Sequence, residues 1–119
     1  MRYMLMIYRD EKEWEARSQG ERNTVFQAAV AYSEARRASG FYQGGEPLEP
    51  THTATTVRIK QGKPVMTDGP FAETKEQLAG YTILEAKNLD EALDFVARHP
   101  LTLSGFSIEV RPIRSGPPK

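Results

Sequence analysis

Residues 64–81, PVMTDGPFAETKEQLAGY, hold a strand end, a tight turn, a lone aromatic, a charged run and the entry to another strand. Asp68-Gly69 is a turn dipeptide: glycine takes a positive φ, and the aspartate bonds downstream backbone. Pro70 fixes the next φ and holds Gly69 extended. Phe71 is the only large apolar residue between Thr67 and Gln77. It is expected to plug this loop into the core. Upstream, Thr53–Lys60 (TATTVRIK) and Pro64–Thr67 flank Gln61-Gly62-Lys63, the pattern of a hairpin with a glycine-containing loop. Downstream, Gly80–Ala86 (GYTILEA) reads as the next strand.

The N-terminal stretch Met1–Arg9 alternates Met1, Tyr3, Leu5 and Ile7 on one side with Met4, Met6 and Tyr8 on the other. Both sides are apolar, so this strand is expected to be central and covered on both faces. Asp10 is a helix N-cap, with Glu13 as its capping-box partner. A short helix anchored by Trp14 runs to Arg17, and Ser18-Gln19-Gly20 breaks it. Glu21–Ser39 follows as a long helix with an inward stripe of Val25, Ala28, Ala29, Tyr32 and Ala35, stopped by Gly40. Phe41–Leu48 is extended, and Gly44-Gly45 predicts a bulge or a close backbone approach. Asn88, boxed with Glu91, opens the second main helix, with Leu89, Ala92, Leu93 and Val96 inward. That helix ends near His99, ahead of Pro100. Ser107–Ile113 (SIEVRPI) is the last strand.

With the hairpin set aside as an insertion, the order is βαββαβ. This is the α+β, ferredoxin-like pattern: an antiparallel sheet with two helices on one face. The other face needs a cover, and a second copy packed sheet to sheet supplies one in a symmetric homodimer. The 119 residues are expected to form one domain over 1–113 with a flexible tail at 114–119.

Sixteen acidic and sixteen basic residues leave no net charge, which argues against a nucleic-acid partner. No apolar run approaches the ~20 residues that cross a bilayer, so no membrane partner is expected. Cysteine is absent. That removes thiolate chemistry and disulfides, and it fits a cytoplasmic protein. Two histidines without carboxylates at ligand spacing make no metal site, and no phosphate loop or serine elbow is present. No cofactor is implied.

The run TDGPFAETKEQLAGY resembles the signature of the YCII-related proteins, in the branch named for its DGPF motif. MRYMLMIY, GGEPL, TATTVR, LDEAL and IEVRPI are similar to that branch as well, so the resemblance spans nearly the whole chain. It implies a ferredoxin-like fold that dimerises as an α+β barrel, with a cleft near the motif. It names no established reaction. Relatives encoded beside extracytoplasmic-function sigma factors raise a second class of function, a non-enzymatic regulatory accessory. A dimeric scaffold without chemistry is a third.

Asp68 reads as a general acid or base on a rigid loop, or as a turn aspartate that caps backbone. His99 reads as a proton relay to Asp68 or Glu73, or as an imidazolium favoured by a helix C-terminus. Glu73, Thr74 and Lys75 read as binding groups for a small polar or anionic ligand, or as a solvated loop whose ion pair contributes ~0–1 kcal/mol. Phe71 completes that binding set. Glu46 joins it because Gly45 lets a backbone approach a ligand closely, although packing at a bulge explains the glycines equally well. His52, in EPTHT, reads as solvated surface.

Overall fold

Arg2–Arg9 forms β1, an inner strand of the main sheet with a neighbour on each side. In the computed structural model, which describes residues 1–118, the chain continues through α1 (Glu11–Ala16), α2 (Gln19–Glu34) and β2 (Tyr42–Pro47). A single 3-10 turn at Thr51–Thr53 leads into β3 (Thr55–Lys60) and β4 (Lys63–Asp68). Then come β5 (Gln77–Glu85), α3 (Leu89–Ala97), α4 (Pro100–Leu103) and β6 (Ser107–Pro112). The main sheet is antiparallel in the order β2-β5-β1-β6, while β3 and β4 pair only with each other. With that hairpin set aside the fold is ferredoxin-like, as the strand and helix order predicts.

Register places Tyr3 opposite Leu84, Leu5 opposite Thr82 and Ile7 opposite Gly80. These inward positions meet Ala92, Phe95 and Val96 of α3 to form the core, with Tyr32, Phe41, Ile108 and Val110 at its edge. Each fully buried Leu or Phe in such a cluster contributes about 1.5–3 kcal/mol over its exposed state. On the opposite face Met4, Met6, Tyr8, Tyr81 and Ile83 stay half-buried and join no core cluster. The molecule measures 49 × 46 × 21 Å, and its radius of gyration is 16.4 Å. A compact chain of this length would give about 14 Å. The difference lies in a single-layered sheet with a projecting hairpin.

Several local expectations are corrected. Phe71 does not plug a core; it is 75% exposed, because its loop follows a hairpin that leaves the main sheet. Asp10 accepts from the Lys12 and Glu13 N–H groups, but the Glu13 carboxylate turns to Arg17 (2.8 Å) and closes no capping box. Ser18 is the N-cap of α2, accepting from Glu21 N–H. That helix ends at Glu34 and unwinds through tight turns to Gly40 at positive φ. Val25, Ala29 and Tyr32 face inward as expected, whereas Ala28 and Ala35 are exposed. In α3 the inward line is Ala92, Phe95 and Val96, and Leu89 and Leu93 face solvent. The ring of Phe95 sets that phase by packing on Tyr32 and Phe41, with centroids 4.8 and 5.1 Å away. Pro100 opens a further short helix, and β5 begins three residues before Gly80. The expected tail is exposed as far as Pro118; Lys119 lies outside the described residues.

A candidate ligand cavity beneath the second helix

Alternation along β1 continues past Ile7. Arg9 therefore falls in phase with Tyr3, Leu5 and Ile7, on the face that carries the helices. Across the ladder, the register shift between Ile7 and Tyr8 leaves Ala79 of β5 as an extra residue. Such bulges re-aim the side chains near them. Beside this point β2 and β5 lie unusually close. A Cβ on Gly45 would run into the Tyr81 carbonyl oxygen, and one on Gly80 would come within 2.8 Å of the Glu46 carbonyl oxygen. Both anticipated features of the Gly44-Gly45 pair are present: a register break between Tyr42 and Gly44, and the close approach at Gly45.

Gly45 and Gly80 thus let the two strands approach closely, and both lie in the lining of an open space above the sheet. A cavity of about 210 Å³ sits there. Phe26, Ala29, Val30 and Ser33 of α2 form one wall, while Ile7, Pro47 and Thr82 join the two glycines in the floor. Trp14, Phe106, Leu101 and His99 close the far end. The lining explains why Phe26 and Val30, both large and apolar, are not buried in the core. Trp14 meets Phe106 edge to face, with centroids 5.1 Å apart, which confirms its role as the anchor of α1.

Arg9 stands at this end with its guanidinium 5.0 Å from the Trp14 ring and 5.8 Å from Phe106. Burial lowers its pKa from the ordinary arginine value, with Glu11 and Glu15 acting in the opposite sense. A guanidinium still stays charged at neutral pH. Its Nε is shielded from solvent and has no hydrogen-bond partner among the described residues.

His99 is 2% exposed and lies among Tyr32 and Phe95, with ring centroids at 5.1 and 5.5 Å. It does not end α3 as a dipole-stabilised cation. Its Nδ1 accepts from Leu101 N–H (3.1 Å) as the N-cap of α4. Burial, helped by the Arg36 charge, pushes its pKa down to about 4. The ring is therefore neutral at pH 7, with Nδ1 as an acceptor.

Of the residues singled out from sequence, His99 and Glu46 line the cavity. The Glu46 side chain itself shares the opposite sheet face with Met6 and Tyr81, by register and alternation. Asp68, Phe71, Glu73, Thr74 and Lys75 are exposed and form no part of this wall. Their loop is held by its own bonds. Gly69 N–H donates to Ala54 O (2.7 Å), Arg58 donates to Phe71 O (3.2 Å), and the Thr74 hydroxyl donates to Glu76 O (2.6 Å). His52 is exposed, as expected. Arg9 and Trp14 are the site residues that sequence reasoning passed over. The signal for Arg9 was present: a charge in the inward phase of an apolar strand.

Among the described residues no group of three or more His, Asp and Glu is placed to hold a metal, and no helix is long and apolar enough to cross a membrane. The model of the YCII-related domain matches residues 1–115. The chain belongs to the YCII-related family. Within that family's range it is 38% identical over 117 residues to an uncharacterised protein of Rhizobium meliloti, covering 95% of this chain and 92% of that one. This YCII-related chain is also similar in structure to a 5-chloro-2-hydroxyhydroquinone dehydrochlorinase from Burkholderia phenoliruptrix, solved with 2,5-dihydroxybenzoquinone. That match has a TM-score of 0.52 and 25% identity, and it covers 98% of this chain and 96% of the other.

Proposed function

We propose that this protein binds a small molecule in the cavity beneath α2 and acts on it by acid–base chemistry, as a homodimer. The observation that carries this reading is the cavity itself. It is apolar and aromatic on its walls, it opens over a glycine floor, and it holds few polar groups. That is the usual composition of a small-molecule site. Its 210 Å³ is a fair size for one substituted ring, since about 150 Å³ accommodates benzene. The ring ligand of the structurally similar dehydrochlorinase supports the same scale of substrate.

The test is a thermal-shift screen of a metabolite library on the wild type and on Ala29→Trp, which fills the cavity from α2. A ligand at about 100 times its Kd stabilises by ~2.7 kcal/mol, a shift of roughly 10 °C for a domain of this length. Hits lost in Ala29→Trp are the expected result. Hits that persist in a folded Ala29→Trp protein would place binding elsewhere and end the reading.

The dimer is part of the proposal. A two-stranded hairpin is marginal by itself, yet β3–β4 exposes Val57, Ile59 and Met66. The open face of Met4, Met6, Tyr8, Tyr81 and Ile83 is the natural seat for a second copy. Asp68, Phe71, Glu73, Thr74 and Lys75 wall no cavity in their own chain; they enter the proposal where the projecting hairpin and loop of a second copy reach round the sheet edge to the helix face. Asp68 is the group we assign to proton transfer, with Lys75 holding negative charge. Light scattering after size exclusion should give twice the chain mass for wild type and the monomer mass for a folded Met6→Glu. A monomeric wild type at micromolar concentration would remove the dimer from the proposal.

A further inference from the structure

We propose that the cavity selects a planar organic anion, an aromatic carboxylate or a delocalised phenolate, and that Arg9 receives its charge. This deepens the reading of the cavity as a ligand site and rests on it. Arg9 is a cation without an ion-pair partner in a sheltered place. Arg9 closes β1 in the inward phase and stacks near Trp14 and Phe106, at 5.0 and 5.8 Å. Its Nε is shielded from water without a hydrogen-bond acceptor. A shielded donor with no acceptor is uncommon in a folded protein and calls for a partner.

The described residues supply none. The neighbouring arginines, by contrast, are engaged: Arg17 with Glu13, and Arg22 with the Glu15 carbonyl. The nearby acids do not answer Arg9 either. Both Glu11 oxygens hold Thr51, and Glu34 is held by Arg37. Glu15 is exposed and forms no ion pair with Arg9. Glu46 shares the far face of the sheet with Met6 and Tyr81. His99 is a neutral acceptor already satisfied by Leu101 N–H. Glu11 and Glu15 act on Arg9 through space, but no carboxylate among the described residues forms an ion pair with it.

The shape of the space supplies the rest. The floor lacks side chains at Gly45 and Gly80, and the walls are rings at Trp14, Phe26 and Phe106. A flat ring fits between them. The guanidinium fork matches the two oxygens of a carboxylate, or the oxygen of a phenolate, more closely than it matches a neutral amide.

The experiment titrates benzoate, 4-nitrophenolate and neutral benzamide, followed by NMR, into wild type, Arg9→Met, Arg9→Lys and Ala29→Trp. Both anions should bind wild type at least about tenfold more tightly than benzamide, the range expected of a hydrogen bond to a charged group. Arg9→Met should erase that preference, Arg9→Lys should keep part of it, and Ala29→Trp should weaken all three probes. A preference shared by only one anion narrows the class to that anion. Benzamide binding as tightly as the anions, with all three blocked by Ala29→Trp, overturns the anion assignment and leaves the cavity reading intact. No binding by any probe, or anion binding indifferent to Ala29→Trp, overturns both. If Arg9→Met does not fold, the anion-to-amide ratio on the wild type decides.

Discussion

Leu84→Ala is expected to cost about 2–5 kcal/mol of folding stability, the range for truncating a buried leucine whose cavity does not collapse. Leu84 is fully buried near the C-terminal end of β5, opposite Tyr3 of β1 and Tyr42 of β2. It therefore touches the core from two strand interfaces and from the α3 side at once. Neighbouring strands on both sides prevent the backbone from closing the gap. The check is chemical denaturation, with the midpoint falling at unchanged m-value. Leu93→Ala on α3 is the control. Leu93 is 44% exposed, so its truncation should stay within about 0.5 kcal/mol. Equal losses at the two positions would mean that the inward line of α3 is misassigned.

Acidification should destabilise the protein through His99. Its folded pKa is about 4, against about 6.5 for an unfolded histidine. Between those values the unfolded chain binds more protons than the folded one, so stability rises with pH across this window. The contribution is complete above about pH 6.5 and disappears as pH falls toward 4. Its full size is about 3 kcal/mol, from 1.36 kcal/mol per unit. His99→Asn keeps an acceptor for Leu101 N–H and removes the titration. It should be less stable at pH 7, because the ring packing on Tyr32 and Phe95 is lost. Its loss of stability between pH 6.5 and 4 should be shallower than that of the wild type. Carboxylate titrations common to both proteins cancel in the difference. Parallel curves would show that His99 accepts a proton without penalty.

The sheet was legible because period-two alternation in MRYMLMIYR and GYTILEA survives burial on one face. The caps at Asp10 and Asn88 were legible because their side chains bond local backbone. The phase of α3 was harder to read. Leu89 and Leu93 are as apolar as Ala92 and Val96, and only the tertiary contacts of Phe95 decide between the two sides. Phe71 misled for a related reason: a lone aromatic in a polar loop marks something to be covered, not what covers it. The cavity escaped sequence reasoning because it is a tertiary arrangement, a helix whose apolar Phe26 and Val30 stand away from the core above a floor that includes Gly45 and Gly80. His99 drew notice as a possible charge, while its neutrality follows from burial that no spacing reveals.

The β3–β4 ladder shares no strand pairing with the four-stranded sheet, and Gly69 closes it at the base onto Ala54. Within one chain the hairpin is thus a replaceable part. Insertions, deletions and new side chains there disturb only its own short ladder, and the sheet that builds the cavity keeps its register. A change of length in the turn between Lys60 and Lys63 can therefore be absorbed inside the arm, without shifting the pairing of β1 or β5.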